Sequence, residues 1–200
     1  MSTSRRKFQT IDLVMLPMFA ALMAIGANLA PYLVIGGVPV TLQTLFSILA
    51  GALLGSKRGA LAMVIYLLVG LAGFPVFSQF SGGLRTFISP TFGFLLSFIL
   101  VAYVTGKIIE RSSEKSIQTF FVACFAGLII NYVLGTNYMY FAFITIADAP
   151  EGFSYYMAWT WMVAPLIKDI IVTILAAVVA HRVYGTVQKR LPVQNRNQAV

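Results

Sequence analysis

Charged residues are scarce in this chain of 200 residues. Asp, Glu, Lys and Arg together account for 10% of the sequence, whereas hydrophobic residues account for 59%. An ordinary soluble domain carries about 25% charged residues. A chain with so little charge cannot cover its surface with polar groups, so lipid must replace water as its main solvent. The composition therefore argues against a soluble protein and predicts an integral membrane protein.

Reactive side chains are also sparse. The chain has one cysteine, Cys124, and one histidine, His181, so it cannot form an internal disulfide. The G-x-x-x-x-G-K-[ST] phosphate-binding loop, H-E-x-x-H and G-x-S-x-G are all missing from the sequence. These absences argue against an ATPase and against common hydrolases. We expect no enzyme activity, no metal and no cofactor.

The sequence does contain long apolar runs. A spanning helix needs about 20 apolar residues, so a chain of 200 residues holds six or seven helices and has no room for a second domain. The runs cover residues 11–34, 41–54, 60–77, 91–109, 117–146 (weakened at 135–137) and 155–183. We predict an all-α integral membrane protein with six transmembrane helices, in which residues 1–200 form a single domain.

Lysine and arginine are placed between these runs in a way that predicts orientation. Short cytoplasmic loops carry an excess of Lys and Arg. With the N-terminus inside, all but two of the 14 basic residues fall in cytoplasmic segments; the exceptions are Arg85, in an outer loop, and Lys168, within the sixth run. We therefore predict that both termini are cytoplasmic, and we attribute the net charge of +8 to topology and not to nucleic-acid binding.

Ionisable residues in unexpected places are candidates for a binding site. Lys168 and Asp169 lie inside the sixth run, where a charge costs at least about 2.5 kcal/mol unless it faces a partner or a polar ligand. Adjacent residues are about 100° apart around a helix, so we expect one of the two to face a pocket and the other to pair elsewhere. The alternatives are an ion pair with a neighbouring helix, or a lysine that snorkels outward.

Other candidates carry weaker signals. Residues 78–83 (SQFSGG) offer backbone amides and small side chains that permit close approach, although such a stretch is also typical of a flexible connector. In the first run, Ala20 and Ala24 form a small-x-x-x-small face that allows close approach of another helix.

Four segments resemble a known family when they are taken in order. They are residues 36–45 (GGVPVTLQTL), 49–55 (LAGALLG), 70–77 (GLAGFPVF) and 89–96 (SPTFGFLL). They resemble BioY, the biotin-specific substrate-binding (S) component of energy-coupling factor (ECF) transporters. Two positions depart from the family's pattern. The lysine that often follows the aspartate by three residues is replaced by Val172, with Lys168 preceding Asp169, and the Pro-Thr-Gly-Gly-Tyr segment reads PTFGF.

The resemblance implies a multi-pass protein of the bacterial plasma membrane that captures biotin at the outer face. Asp169, Gln79 and Asn131 are then candidates to bind the ureido ring, and either Arg85 or Lys168 to bind the carboxylate. Gly82, Gly83 and Tyr132 complete the set of expected ligand-binding residues.

The resemblance also implies that Ala20 and Ala24 dock on the transmembrane coupling (T) subunit, which joins two cytosolic ATPases. One alternative is a carrier for biotin or a similar vitamin that acts without ATPase partners, which uptake in cells without coupling ATPases would favour. Another is a polytopic enzyme, which turnover by the purified protein would favour.

The charge pattern predicts which loops each side of the membrane can reach. A membrane-impermeant thiol reagent added to intact cells should label a cysteine at Pro150 but not one at Ser113, because the positive-inside rule places residue 113 in the cytoplasm. Labelling is measured in a Cys124→Ala background. The opposite pattern would reverse the orientation.

Overall fold

The structure, a computed structural model, describes residues 10–29, 34–35 and 38–190. Its six helices are α1 (Thr10–Asn28), α2 (Gln43–Leu54), α3 (Ser56–Leu71), α4 (Phe92–Arg111), α5 (Ile117–Thr145) and α6 (Tyr155–Arg190). Two short strands, β1 (Val34–Ile35) and β2 (Val38–Pro39), pair antiparallel between α1 and α2. The basic N-terminus, Pro31, Gly36 and Gly37 lie outside the described residues, as does the end of the chain after residue 190.

Four of these helices are long and apolar enough to cross a membrane, namely α1, α4, α5 and α6. The prediction of an all-helical, multi-pass membrane protein is therefore confirmed. The other two helices are shorter: α2 has 12 residues and α3 has 16. At about 1.5 Å per residue they reach about 18 Å and 24 Å, whereas the hydrocarbon core is about 30 Å thick. Helix length alone does not decide the six crossings, which stay a prediction.

Helices α2 and α3 form a hairpin that turns at a single residue, Gly55. Its φ of 87° lies in the left-handed region, which glycine adopts without steric cost. The Glu110 carboxylate, at the end of α4, accepts hydrogen bonds of 2.7 Å from both the backbone N–H and the hydroxyl of Ser56. A carboxylate at a helix N-terminus satisfies amides that have no partner within the helix. The turn is thereby held against α4.

Small residues let this hairpin pack closely on α4. A Cβ added at Gly51 would lie 2.2 Å from the Ala102 carbonyl oxygen, and one at Gly106 would lie 2.4 Å from the Ser56 nitrogen. Close backbone approach through glycine is how membrane helices gain packing where lipid provides no hydrophobic drive. The short helix α2 is therefore enclosed within the bundle, with α4 and α6 packed against it.

Three boundaries differ from those expected from the sequence. Helix α1 ends at Asn28 and α3 ends at Leu71, before the ends of their apolar runs. Residues 135–137 do not weaken α5, which is continuous to Thr145. Gly135 packs against the ring of Phe94 on α4, which a Cβ would meet at 2.2 Å, so this glycine serves helix packing and does not break the helix.

The small-residue face of α1 is turned toward the protein interior. Ala20 is 9% exposed and belongs to the hydrophobic core, and Ala24 is half-buried against the same core. A small-x-x-x-small pattern also serves packing within one chain, and docking of a partner at Ala20 and Ala24 stays a prediction. The exposed side of α1 carries Val14, Met18 and Ala21.

The glycine packing predicts opposite effects of the same substitution at two helix positions. Gly51→Ala should lower the free energy of unfolding by about 1–3 kcal/mol, because the new methyl group overlaps the backbone of α4. Gly185→Ala should raise it by about 0.4–1 kcal/mol, since a Cβ there meets no atom within 4 Å. Equilibrium denaturation in detergent micelles measures both. Equal effects at the two positions would contradict close α2–α4 packing.

Candidate ligand-binding site

A cavity of about 560 Å³ lies at one end of the bundle. It is bordered by α4, α5, α6, the start of α2 and the segment between α3 and α4. Small-molecule sites typically occupy about 300–1,000 Å³. We call the segment of residues 72–91 the cap segment; it contains two short 3₁₀ turns, Ser78–Phe80 and Leu84–Ile88. The cavity has the size of a site for one small molecule.

Part of the cavity wall is apolar. Helix α4 contributes Phe94, Leu95 and Phe98, and α6 contributes Met162 and Pro165. Helix α4 packs against α2, α3 and α5, and α6 packs against α2 and α5, so the bundle core holds this wall in place. An apolar wall with a few convergent polar groups is the usual composition of a small-molecule site.

An ionic cluster from α5 and α6 forms a second part of the wall. The Lys168 ammonium lies 2.7 Å from Asp169 Oδ1, and it also donates to the backbone carbonyl of Thr41. The Tyr132 hydroxyl donates to Asp169 Oδ2 at 2.8 Å. Asp169 is 4% exposed, and a carboxylate this buried is costly unless it is paired and hydrogen-bonded. The cluster therefore keeps a charged acceptor at the cavity.

The expectation that Lys168 and Asp169 point to different partners is wrong. Both line the cavity and they pair with each other. The angle of about 100° between adjacent residues applies to the Cα–Cβ directions, but the four-carbon stem of lysine is long enough to bring the ammonium back to the neighbouring carboxylate.

A neutral polar group lies beside this cluster. The Ser97 hydroxyl of α4 donates to Asn131 Oδ1 at 2.7 Å, and Asn131 Nδ2 approaches the Thr44 hydroxyl at 3.5 Å. Asn131 is 3% exposed, yet it lines the cavity. Its amide is therefore oriented by two other helices and presented at the wall.

Gln43, at the start of α2, is a cavity residue that the sequence reasoning missed. Its Nε2 donates to the Tyr66 hydroxyl at 2.8 Å, and that hydroxyl donates to the Val76 carbonyl at 3.1 Å. Tyr66 is fully buried and packs edge-on against Phe77. The signal was present, because a glutamine that interrupts an apolar run is costly in lipid and is retained for a partner.

The cap segment contributes three of the predicted residues to the cavity wall: Gln79, Gly82 and Arg85. Gln79 and Phe80 have φ values of 59° and 53°, which are uncommon for residues other than glycine. Such a conformation persists when neighbouring contacts hold it. Here the Phe80 N–H donates to Asn28 Oδ1 of α1 at 2.8 Å, which ties the cap segment to α1.

Gly83 does not line the cavity, unlike the other predicted ligand-binding residues. Its φ of 90° begins the second 3₁₀ turn, and its N–H donates to the Gly70 carbonyl of α3 at 2.7 Å. Gly82 has the close approach that the sequence predicted, since a Cβ there would lie 2.2 Å from the Phe74 carbonyl oxygen. Gly83 thus fastens the cap segment to α3.

These features define a class of protein: a multi-pass helical membrane protein with a cavity for a small solute that has apolar and polar parts. Comparison with known proteins is more specific. The sequence profile of the BioY family matches residues 1–189, and the chain belongs to this family.

Named relatives agree with this membership. The chain is 41% identical over 188 residues to the BioYB protein of Bacillus subtilis (strain 168), covering 92% of this chain and 93% of the relative. It is 36% identical over 172 residues to the biotin transporter BioY of Thermotoga maritima, covering 86% of this chain and 94% of the relative.

The fold has a counterpart among solved structures. It matches the crystal structure of the S-component for biotin from an ECF-type ABC transporter, with a TM-score of 0.61 and 20% identity over 88% of this chain and 94% of that one. At this identity the match shows the fold.

The buried ion pair predicts a strongly non-additive effect on stability. Lys168→Met should lower the free energy of unfolding by about 3 kcal/mol, because it leaves the Asp169 carboxylate buried without its cation. The double substitution Lys168→Met with Asp169→Leu should restore most of that loss, since neither charge remains. Equilibrium denaturation of Lys168→Met, Asp169→Leu and the double variant measures the coupling between the two residues.

Arg85→Met is the matched control, because Arg85 has no carboxylate within 4 Å among the described residues. It should change the free energy of unfolding little. A loss at Lys168 no larger than that at Arg85 would contradict a structural role for the ion pair.

Proposed function

We propose that this chain is the biotin-binding S component of an ECF-type uptake transporter. The observation that carries the proposal is the cavity itself. In a member of the BioY family, an apolar wall from α4 and α6 faces a fixed set of hydrogen-bonding and charged groups. Biotin has the same division, with an apolar thiophane ring and valeryl chain between a ureido group and a carboxylate.

The ureido group calls for an acceptor and a donor in the same place. Its two N–H groups need acceptors, and the Asp169 carboxylate, fixed by Tyr132 and Lys168, is a charged acceptor on the wall. Its carbonyl needs a donor, which Asn131 or Gln79 supplies. Hydrogen bonds to a charged group contribute about 1.5–3 kcal/mol each. This arrangement supports recognition of the ureido ring at the α5–α6 side of the cavity.

Arg85 is the better of the two candidates for the ligand carboxylate. The charge of Lys168 is already balanced by Asp169 at 2.7 Å, whereas no carboxylate lies within 4 Å of Arg85 in the described part of the chain. A guanidinium also presents a planar fork that matches a carboxylate. Arg85 belongs to the cap segment, so the acid would lie at the mouth of the cavity and the ureido ring deeper.

The proposal includes six crossings of the bacterial plasma membrane, with both termini cytoplasmic. The distribution of lysine and arginine supports it. The shortness of α2 and α3 is compatible with six crossings because α2 is enclosed by other helices, so neighbouring helices and not lipid surround it. Under this topology the cavity opens to the outside.

We propose that uptake uses a T subunit and two cytosolic ATPases, as membership of the BioY family implies, and that these partners supply the ATPase activity for which the chain has no nucleotide-binding motif. We propose that α1 contributes the docking face, with half-buried Ala24 beside exposed Ala21 and Met18. Small residues at the edge of an exposed helix face permit close approach of a second helix.

The assignment of the two cations predicts different selectivity in two variants. Arg85→Ala should weaken the binding of biotin by roughly tenfold or more, which corresponds to about 1.4 kcal/mol. The same substitution should weaken the binding of a neutral biotin amide much less. Lys168→Ala should weaken the binding of biotin and of the amide by similar factors. The substitution disturbs Asp169, which faces the ureido group of both ligands, and does not affect the group that binds the biotin carboxylate. Equilibrium binding of labelled ligands to the detergent-purified protein measures both.

Wild-type protein and Asp169→Asn complete the series. Asp169→Asn should weaken the binding of both ligands, because it removes the charged acceptor for the ureido group. Absence of biotin binding to the folded wild-type protein would refute the proposed function. Equal loss of biotin and amide in Arg85→Ala would refute the assignment of Arg85 only.

A further inference from the structure

The cap segment exposes an unusual amount of apolar surface. Five large side chains are between 45% and 70% exposed: Phe74, Phe80, Leu84, Phe87 and Ile88. The one ionisable residue in the segment, Arg85, lines the cavity. Contiguous exposed apolar surface marks a contact with a protein partner or with a membrane, so the outer surface of the cap segment is unlike that of a hydrated loop.

A second loop at the same end of the bundle has the opposite character. If α4 and α5 each cross the bundle once, the α3–α4 and α5–α6 connections lie at the same end. A hydrogen bond agrees with this, since the Tyr138 hydroxyl in the last third of α5 donates to the Phe87 carbonyl of the cap segment. The α5–α6 loop, residues 146–154, carries the exposed carboxylates Asp148 and Glu151. That loop suits water, whereas the cap segment does not.

The exposed apolar side chains of the cap segment adjoin exposed apolar side chains of three helices. Leu68, near the end of α3, is 60% exposed and precedes it, and Leu96, near the start of α4, follows it. Ile25, in the last turn of α1, and Leu29, directly after α1, are also exposed, and they adjoin the cap segment at the hydrogen bond from the Phe80 N–H to the Asn28 side chain. The cap segment therefore lies between exposed apolar surfaces of helices that we expect to face lipid.

Helix length indicates the same position. Helix α3 has 16 residues, and at about 1.5 Å per residue it falls about 6 Å short of a hydrocarbon core of about 30 Å. The chain that follows α3 is the cap segment. If α3 starts at the opposite boundary of the hydrocarbon core, beside Lys57 and Arg58, the cap segment begins inside the hydrocarbon region.

We propose that the cap segment is inserted into the leaflet at the cavity end of the bundle, where lipid covers Phe74, Phe80, Leu84, Phe87 and Ile88. The roof of the cavity is then anchored at the membrane interface and does not project into water. Backbone without regular structure is tolerated at this depth where it lines a cavity and its polar groups have partners. The cap segment lines the cavity, and the N–H groups of Phe77, Phe80 and Gly83 all donate within the protein.

Spin-label accessibility tests this insertion without any ligand. Single cysteines at Phe80 and Leu84, in a Cys124→Ala background, are labelled in liposomes of phosphatidylcholine and phosphatidylglycerol. Their collision rates with oxygen, which concentrates in lipid, and with a water-soluble nickel chelate are then compared. The matched controls are Leu68→Cys, on the exposed side of α3, and Pro150→Cys, in the α5–α6 loop.

We expect the oxygen-to-nickel ratio at residues 80 and 84 to resemble that at residue 68 and to exceed that at residue 150 several-fold. A ratio equal to that at residue 150 would overturn the proposal, since the segment would then face water. Exclusion of both reagents in liposomes, but free access of nickel in nanodiscs that hold a single copy, would also overturn it, because a second copy would be the cover. Cysteines at Phe74 and Ile88 report on the same surface if either first variant does not fold.

Discussion

A carboxylate inside a membrane protein must be neutralised where it lies, and the site in this chain depends on how that is done for Asp169. The Lys168 ammonium and the Tyr132 hydroxyl both bond to it. Tyr132 lies on α5, and Lys168 of α6 also donates to the Thr41 carbonyl just before α2, so the cluster links α6 to α5 and to the chain at the start of α2. Its position at the cavity means that the same pairing both stabilises the bundle and leaves a charged acceptor for a ligand.

The helix packing around this cluster depends on small residues. Gly51 and Gly106 allow the α2–α3 hairpin to approach the backbone of α4, and Glu110 secures the turn at Ser56. This close approach encloses α2, a helix too short to cross the hydrocarbon core by itself. Because α2 is enclosed, the polar residues at its start, Gln43 and Thr44, lie at the cavity and not in lipid. Close backbone packing at Gly51 and Gly106 is therefore what allows a polar site at the start of α2 within an apolar protein.

The cap segment has two surfaces with different chemistry. Gln79, Gly82 and Arg85 line the cavity, whereas large apolar side chains on the same 20 residues are exposed. Gln79, which lines the cavity, and Phe80, which is exposed, are adjacent, and both have left-handed φ values. The hydrogen bond to Asn28 holds the backbone at Phe80, and the one to Gly70 holds it at Gly83. A segment held on one side by protein and on the other by lipid can cover a cavity without a regular fold of its own.

The sequence by itself determined the membrane class, the all-helical fold, and that Arg85, Lys168 and Asp169 belong to a polar site. Composition and local hydropathy carry that information. The cost of a charge in lipid marks Lys168 and Asp169 whatever the neighbouring helices are, and the positive-inside pattern marks Arg85 as an exception. Tertiary structure decided the rest. That Lys168 and Asp169 pair with each other depends on the reach of a flexible side chain, and that Ala20 is buried depends on which helix packs against α1. The partner of Gln43, Tyr66, lies 23 residues away and is likewise set by how α2 packs against α3.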